Sequence, residues 1–246
     1  MTSIQRFAAK VETVRQLTHD VRQIDFALIE PPEIRFRAGQ FVSFDVPDAR
    51  TGRTVTRPYS IASSPASPRM ISLLLNLVPH GPGSTYLFGL REGDQTSFVG
   101  PAGNFYLRDD RERELLFVAT GTGIAPIRSM LYANAERPTP SRTTLCWGLR
   151  SQRDLYYEDE LAGLSRQVPM SAHIITLSRP EIGWEGASGR VTTWIERQIH
   201  DVKGLAVYLC GNSGMITEVT RIIRSKGLCP IFREKYYDDA SGGGDD

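Results

Sequence analysis

The sequence contains few cysteines: Cys146, Cys210 and Cys229 are the three, and no two of them form a C-x-x-C pair. An odd number of widely spaced cysteines argues against a disulfide framework and against a zinc site. An iron–sulfur cluster needs four cysteine ligands in most classes, so this chain does not make one alone. We therefore expect no metal site, and any electron chemistry must use a bound organic cofactor or a partner.

The sequence also lacks a long apolar run and an excess of either charge. No hydrophobic stretch approaches the roughly 20 residues that cross a bilayer, and the N-terminal segment lacks the apolar stretch of a signal peptide. The 29 basic and 28 acidic side chains leave a formal net charge of +1, whereas nucleic-acid-binding proteins usually gather a basic excess on one face. We expect no membrane insertion and no nucleic-acid partner, and we predict a cytoplasmic location.

The first part of the chain has the pattern of an all-β domain. Residues 4–108 contain short alternating runs such as VRQIDFAL and GQFVSFDVP, separated by turn signals such as DARTG and SSPASPR. Many short strands at regular spacing predict a sandwich or a barrel. One helix is predicted at STYLFGL, opened by Ser84 and Thr85 as caps.

The second part has a different periodicity. ELLFVAT is a continuous apolar run, typical of a strand buried on both faces of a parallel sheet. From there strands and helices alternate to the last run, PIFREKYY, which predicts a doubly wound α/β domain. We place the domain boundary between residues 110 and 111, in the charged linker RDDRERE, and we expect the acidic, glycine-rich tail at 238–246 to be disordered.

A glycine-rich loop follows the first strand of the predicted parallel sheet. In TGTGIAP, Gly121, Thr122 and Gly123 stand between that strand and a helix. Small residues there let backbone N–H groups approach a phosphate, and the helix N-terminus adds a favourable dipole. The alternative is a plain tight turn. The position favours a nucleotide phosphate, because ligands of such sheets bind at the carboxyl ends of the strands.

Three arginines stand at or near strand ends in the same domain. Arg150 follows the strand TTLCWGL, Arg179 follows HIITLS after Ser178, and Arg190 lies in GASGRV before the next helix. Solvated surface arginines are the alternative for each one alone. Together they would suit the 2′-phosphate of NADP(H), whereas an acidic residue would suit NAD(H). We therefore predict NADP(H) as the dinucleotide, with NAD(H) as the alternative.

Five motifs in order give the chain a specific resemblance. RPYSIASS begins at residue 57, and GPGSTYL, TGTGIAP, YLCGNSGM and REKYY follow it along the sequence. With these motifs, over nearly all of its length, the chain resembles the ferredoxin–NADP(H) reductase family. The resemblance implies two domains: an N-terminal antiparallel β-barrel that binds FAD, and a C-terminal doubly wound parallel-sheet domain that binds the nicotinamide dinucleotide.

The resemblance assigns the RPYS residues to the flavin. Arg57 offers a planar fork suited to the flavin pyrophosphate, and Pro58 fixes the chain without losing a donor. Tyr59 offers a flat ring for packing on the isoalloxazine or its ribityl chain. The resemblance places Ser60 near flavin N5, the atom that receives hydride. The alternative for the motif alone is an ordinary edge strand that enters a turn.

Further flavin contacts follow from the same resemblance. Gly83 and Ser84, with Gly81, would let backbone reach the second phosphate near the start of a helix. The segment Leu75-Asn76-Leu77-Val78 corresponds to backbone contacts with the flavin.

The last two motifs are implied to lie at the nicotinamide end of the site. A buried free cysteine is usually a small core residue, but the resemblance sets Cys210 beside nicotinamide C4. It implies that Glu234 closes the site and aids proton exchange around Ser60. Tyr236 or Tyr237 would cover part of the flavin; nine residues follow Tyr237 here, whereas in some members an aromatic residue ends the chain.

The function expected from these observations is electron transfer between NADPH and a one-electron carrier, ferredoxin or flavodoxin, through FAD. One alternative is an NADH-dependent reductase component that supplies a multicomponent oxygenase. An alternative of another class is a flavin-binding regulatory module without catalysis.

Overall fold

A computed structural model describes residues 4–237 and divides into two compact units. The N-terminal unit comprises the chain up to Leu107 together with Arg128–Ala133, and the C-terminal unit comprises Arg108–Ile127 and the residues from Asn134 onward. Our functional boundary between residues 110 and 111 stays a prediction. The tail at 238–246, for which we predicted disorder, lies outside the described residues.

The N-terminal unit is built on six antiparallel strands, which confirms the predicted barrel class. Their order in the sheet is β4-β3-β6-β1-β2-β5, and an isolated bridge between Ile61 and Leu73 joins the chain after β4 to β5 at the far end of that order. The strands are β1 (Gln5–Gln16), β2 (Val21–Glu30), β3 (Phe41–Asp48), β4 (Arg53–Ser60), β5 (Met70–Asn76) and β6 (Gln95–Ala102).

Alternation of apolar and polar side chains places one face of these strands in a core. In β3, Val42, Phe44 and Val46 are fully buried, and the residues between them face outward. The centre of the core is aromatic: the ring of Phe98 lies 5.5 Å from that of Phe7 and 5.4 Å from that of Phe44. Strand β4 is an edge strand, which is where a proline such as Pro58 is tolerated.

Helix α1 (Pro82–Gly89), in the N-terminal unit, starts earlier than the sequence pattern predicted. Its N-cap is Gly81, without a side-chain cap, and a proline occupies the first turn. The prediction that Ser84 and Thr85 open the helix is therefore wrong. The Ser84 hydroxyl instead bonds the loop before the helix, accepting from the Val78 N–H at 3.1 Å.

The C-terminal unit is a parallel sheet with helices, which confirms the α/β prediction. The order is β10-β9-β8-β7-β11-β12, so the chain starts at a central strand and builds first to one side and then to the other. The strands are β7 (Glu114–Thr120), β8 (Thr143–Leu149), β9 (Met170–Leu177), β10 (Ala187–Ser188), β11 (Leu205–Asn212) and β12 (Ile231–Tyr237). Such a reversal of strand order creates a crevice at the carboxyl ends.

Helix α2 (Ile124–Ala135) follows β7, and its residues are divided between the two units, since Arg128–Ala133 belong to the N-terminal one. Helices α3 (Glu158–Ser165), α4 (Val191–Gln198) and α5 (Ser213–Lys226) belong to the C-terminal unit. Helices α4 and α5 bury an apolar stripe that includes Ile195 and Val219, in one cluster with Val118 of β7 and Leu209 of β11. Helix α3 is shorter than the predicted LYYEDELAGLSRQ, because the residue before it, Tyr157, has left-handed backbone angles. Among residues 4–237, no helix has the length and apolar content that a membrane span requires.

Candidate functional site

In the N-terminal unit, the RPYS motif and the glycine motif of α1 lie against each other. A Cβ added at Gly83 would come 2.9 Å from Cγ and 3.0 Å from Cβ of Arg57, and it would collide with the Tyr59 hydroxyl. Only a glycine lets the start of α1 approach β4 so closely. The fold therefore brings together two motifs that the sequence separates, and it leaves Arg57 exposed while Ser60, at the end of β4, is buried.

Hydrogen bonds hold the loop before α1, both within the loop and to the carbonyl of Asp20. The Ser84 hydroxyl lies 3.1 Å from the carbonyl oxygen of Gly81 and 3.2 Å from that of Val78. The Leu77 N–H donates to the carbonyl of Asp20 at 2.9 Å. The side chains of Leu77 and Val78 are exposed, whereas Leu75 is buried in the barrel core. The predicted segment 75–78 thus presents an apolar surface next to a loop closed by hydrogen bonds.

In the C-terminal unit, the glycine loop lies against the cysteine motif. A Cβ at Gly123 would stand 2.7 Å from the carbonyl carbon of Cys210 and 2.9 Å from Cα of Gly211. Gly211 has a φ of +133° and lies against the backbone of Thr120, whose carbonyl oxygen would be 2.9 Å from an added Cβ. Two glycines from different motifs are therefore required for the ends of β7 and β11 to meet at the centre of the sheet.

Cys210, Glu234 and Tyr236 occupy neighbouring positions at the ends of β11 and β12. Cys210 pairs with Glu234 in the parallel ladder. Burial raises the pKa of the Cys210 thiol well above its ordinary range, the Glu234 carboxylate adds to that increase, and a hydrogen bond with Tyr236 opposes it. Burial also raises the pKa of Glu234. The thiol is therefore protonated at neutral pH and is no nucleophile.

The three arginines singled out in the sequence belong to one edge of this unit. The Arg179 N–H donates to the carbonyl of Arg150 at 2.7 Å, so these residues extend β9 and β8 side by side. Arg190 comes two residues after Ser188, which pairs with Leu177 in the ladder. All three side chains are exposed, and within residues 4–237 none of the three guanidinium groups forms an ion pair.

Two residues at the centre of the site escaped the sequence reasoning. The Thr120 hydroxyl accepts a hydrogen bond from the Asn212 N–H at 3.0 Å and so ties the end of β7 to the end of β11. The Asn212 side chain caps α5 by accepting from the Met215 N–H at 3.0 Å. The N-cap preference of asparagine was a visible signal for the second contact. Nothing in the sequence points to the first, because it joins residues far apart in the chain.

Comparison with known proteins assigns the two units. Residues 8–106 match the family model described as the oxidoreductase FAD-binding domain, and residues 117–221 match that of the oxidoreductase NAD-binding domain. A ferredoxin–NADP reductase B of Sorangium cellulosum is 33% identical over 232 residues, which cover 92% of this chain and 94% of that protein. The chain belongs to the ferredoxin reductase family. It is therefore an oxidoreductase with FAD and NAD(P) as cofactors.

Other relatives of this ferredoxin reductase family member work in different systems. The electron transfer component of toluate 1,2-dioxygenase from Pseudomonas putida is 31% identical over 233 residues, covering 94% of this chain and 67% of that protein. The crystal structure of a cytochrome P450 reductase from Amycolatopsis superposes with a TM-score of 0.85 at 26% identity, covering 98% of this chain and 72% of the other. A ferredoxin NADP+ reductase from Neisseria gonorrhoeae, solved with bound FAD and NADP, shares the fold, with a TM-score of 0.76 at 21% identity, covering 96% of this chain and 99% of that one.

The residues present fit the two cofactors of the family. Beside the Gly83 contact, the exposed guanidinium of Arg57 and the half-buried ring of Tyr59 supply a cation and an aromatic face for a flavin nucleotide. In the C-terminal unit, the Gly121–Gly123 turn leads directly into α2, as a pyrophosphate-binding loop requires.

Proposed function

We propose that this protein moves electrons between NADPH and a one-electron carrier, a ferredoxin or a flavodoxin. The choice of NADPH rests on the placement of three arginines. Arg150 and Arg179 lie side by side at the carboxyl ends of β8 and β9, and Arg190 lies at the start of α4. Like charges gathered without carboxylate partners repel each other, so such a group favours a bound anion. A 2′-phosphate is the anion that distinguishes NADPH from NADH. Ser178, which precedes Arg179 in the chain, adds an exposed hydroxyl to this group of arginines.

For the flavin, we assign roles to the residues that the glycine contact brings together. Arg57 would bind the pyrophosphate by its fork, while Pro58 and Tyr59 shape the strand against which the ring system packs. We place Ser60 beside the reactive nitrogen of the flavin on the strength of the family resemblance. When bound, FAD supplies the redox chemistry, since a flavin accepts two electrons from a nicotinamide and can release them singly.

The loop and the strand end before α1 complete the proposed flavin contacts. The backbone around Gly83 and Ser84 would meet the flavin phosphates near the start of the helix. The N–H groups of Leu77 and Val78 already donate within the protein. We therefore expect the segment Leu75-Asn76-Leu77-Val78 to meet the flavin through carbonyl oxygens and through its exposed apolar side chains.

For the nicotinamide dinucleotide, we assign the binding site to the glycine loop after β7 and to the carboxyl ends of β11 and β12. The N–H groups of Gly121, Thr122 and Gly123 would bind the pyrophosphate. The neutral Cys210 thiol is fully buried, and we propose that it packs behind the position of the nicotinamide ring without reacting with it. Glu234, whose pKa is raised by burial, would hold or move a proton. Tyr236 would cover the flavin; the side chain of Tyr237 lies outside what the structure describes.

A second candidate function is supported by the relatives. The similarity to a dioxygenase electron transfer component favours a reductase that supplies an oxygenase through a separate carrier. For this candidate we propose NADH as the electron donor. The two candidates share the electron-carrier partner and differ in the nucleotide. The cytoplasmic location stays a prediction.

The decisive experiment compares kcat/KM for NADPH and NADH in the FAD-loaded protein. We expect a preference for NADPH, and we expect Arg179→Ala or Arg150→Ala to lower kcat/KM for NADPH about 10- to 100-fold while that for NADH changes little. Arg197→Ala, an exposed arginine in the last turn of α4, is the matched control. A preference for NADH in the unchanged protein would select the second candidate. A flavin that neither nucleotide bleaches without oxygen would select the non-catalytic module.

The carrier is tested separately. NADPH-reduced protein is mixed with a purified ferredoxin or flavodoxin, and the reduction of cytochrome c is followed as the final readout. We expect cytochrome c reduction to depend on the added carrier. Reduction at the same rate without any carrier would contradict the proposed partner class.

A further inference from the structure

We propose that Trp147 and Tyr156 are positioning residues that set the orientation of the dinucleotide-binding loop, by holding the carbonyl of Gly121. This inference rests on the dinucleotide site described under the proposed function, and its 2′-AMP control rests on the NADPH preference proposed there. Neither residue belongs to a motif of the sequence analysis, and neither is assigned a contact with the cofactor.

Both side chains donate a hydrogen bond to the same backbone oxygen. The Trp147 indole N–H lies 2.9 Å from the carbonyl oxygen of Gly121, and the Tyr156 hydroxyl lies 3.3 Å from it. The same oxygen also accepts from the Ile124 N–H, which closes the turn into α2. Gly121 itself has a φ of +52°, in the left-handed region. Glycine allows more backbone conformations than other residues. At Gly121, side-chain donors from outside the loop restrict this freedom.

Fixing this carbonyl also fixes the donor that follows it. In a trans peptide the C=O of one residue and the N–H of the next point in opposite directions across a rigid plane. With the Gly121 carbonyl directed at Trp147 and Tyr156, the N–H of Thr122 is turned away from them. An anion-binding loop needs its N–H groups to converge on one point, so the orientation of this plane decides whether the loop suits a phosphate.

The two donors are themselves held in place. Trp147 is fully buried in β8 and Tyr156 is nearly so, and their rings meet edge to face with centroids 4.7 Å apart. Tyr157 packs on Tyr156 at 5.0 Å and has a φ of 60°, unusual for a residue with a side chain. Such backbone strain is kept only where the surroundings impose it.

The turn that leads to Tyr156 is closed by a reciprocal cap. The Asp154 carboxylate accepts from the Ser151 N–H at 2.8 Å and from the Ser151 hydroxyl at 2.9 Å. This cap fixes the short turn Gln152–Asp154, which ends two residues before Tyr156. Strand β8 therefore holds Trp147 against Gly121, and the capped turn Gln152–Asp154 holds Tyr156 there. Such supporting contacts keep the residues of a binding site in their required geometry.

The test removes each donor while keeping an aromatic ring. Trp147→Phe, Tyr156→Phe and the double variant are loaded with FAD and compared with the unchanged protein. The control is Thr220→Val, which removes a buried hydroxyl that donates to the Ile216 carbonyl at 2.6 Å within α5 of the same unit. Dissociation constants are measured for NAD+, NADP+ and 2′-AMP, together with kcat and KM for the better reduced nucleotide.

We expect each single variant to weaken binding of the preferred dinucleotide about 3- to 10-fold, with KM rising by a similar factor and kcat nearly unchanged. Since either donor alone still holds the carbonyl, the double variant should lose more than the product of the two. The affinity for 2′-AMP, which has no pyrophosphate, should stay constant. The Thr220→Val control should bind all three ligands as the unchanged protein does.

The inference is overturned if the variants bind the dinucleotides as tightly as the unchanged protein does while their melting temperature has fallen. Trp147 and Tyr156 would then have a packing role only. An equal loss for 2′-AMP and the dinucleotides would do the same, since it would point to damage of the whole unit. Failure of the proposed function has a different signature: the unchanged protein would then bind neither NAD+ nor NADP+.

Discussion

Gly123 lies so close to Cys210 that an added Cβ would stand 2.7 Å from its carbonyl carbon. We predict that Gly123→Ala pushes the loop away from β11 and weakens nicotinamide binding about 10- to 100-fold, with the FAD content unchanged. The measurement is a titration of the flavin spectrum with the nicotinamide nucleotide. Gly163→Ala in α3, where an added Cβ makes only an ordinary 3.8 Å contact, is the control. Equal affinities in all three proteins would contradict the prediction.

The corresponding prediction for the flavin concerns Gly83. A methyl group there meets the stem of Arg57 and the Tyr59 hydroxyl, so Gly83→Ala should force α1 away from β4. We expect the purified variant to hold less than about half the FAD of the unchanged protein, since a small displacement is enough to spoil a preorganised site. Gly89→Ala in the same helix, with open space around it, should retain full FAD. FAD content is read from the absorbance ratio of flavin to protein.

A buried carboxylate in the barrel should make stability fall in acid. Burial by itself raises the pKa of Asp25, but hydrogen bonds from Ser72, Thr13 and Gln23 and the charge of Arg15 outweigh it, so the pKa is below the ordinary 3.8. The carboxylate therefore contributes fully to stability above about pH 4, and this contribution is lost as the pH falls through the lowered pKa. We expect Asp25→Asn to cost about 1 to 3 kcal/mol of unfolding free energy at pH 7.

The control for this prediction is Asp45→Asn, in which an exposed carboxylate bonded to Thr56 and Arg6 is changed in the same way. Exposed pairs contribute little, so its effect at pH 7 should be much smaller. Urea unfolding is measured at pH 7 and at pH 3. A cost of Asp25→Asn that is as large at pH 3 as at pH 7 would rule out the charge as its origin.

The three thiols should differ in reactivity. Cys146 and Cys210 are fully buried, and burial raises the pKa of Cys146 to about 12; Cys229 is partly exposed. A disulfide reagent at about pH 8 should therefore modify only Cys229 in the native protein, and Cys229→Ser should leave no reactive thiol until denaturant is added. Rapid modification of Cys210 in the native variant would show that β11 opens more readily than its burial implies.

The sequence predicted the fold class well because each part of the chain has a clear period. Alternation over 4–108 predicted antiparallel strands, and the apolar run ELLFVAT predicted the central parallel strand β7. Local errors arose where tertiary contacts compete with local preference. Ser84 looks like a helix cap, but its hydroxyl bonds the loop at Val78 and Gly81. Tyr157 looks like a helix residue, but its backbone turns left-handed and delays α3.

The candidate site was predictable only where a motif is contiguous. The glycine loop could be proposed from the chain itself and RPYS from the family resemblance, because the residues of each motif are neighbours in sequence. Thr120 with Asn212, and Trp147 with Gly121, are pairs far apart in the chain. Nothing in either residue alone signals the bond, since a threonine or a tryptophan has many uses in a buried strand.

The amino-acid sequence by itself determined the two architectures, the order of the motifs and a phosphate-binding loop, because hydrophobic period and glycine placement act over a few residues; the flavin followed from the family resemblance of the motifs. Only the tertiary structure decided which motifs meet: Gly83 with Arg57, Gly123 with Cys210, and Arg150 with Arg179. The physical reason is that strand order and register, set by packing of the whole sheet, bring distant residues within contact.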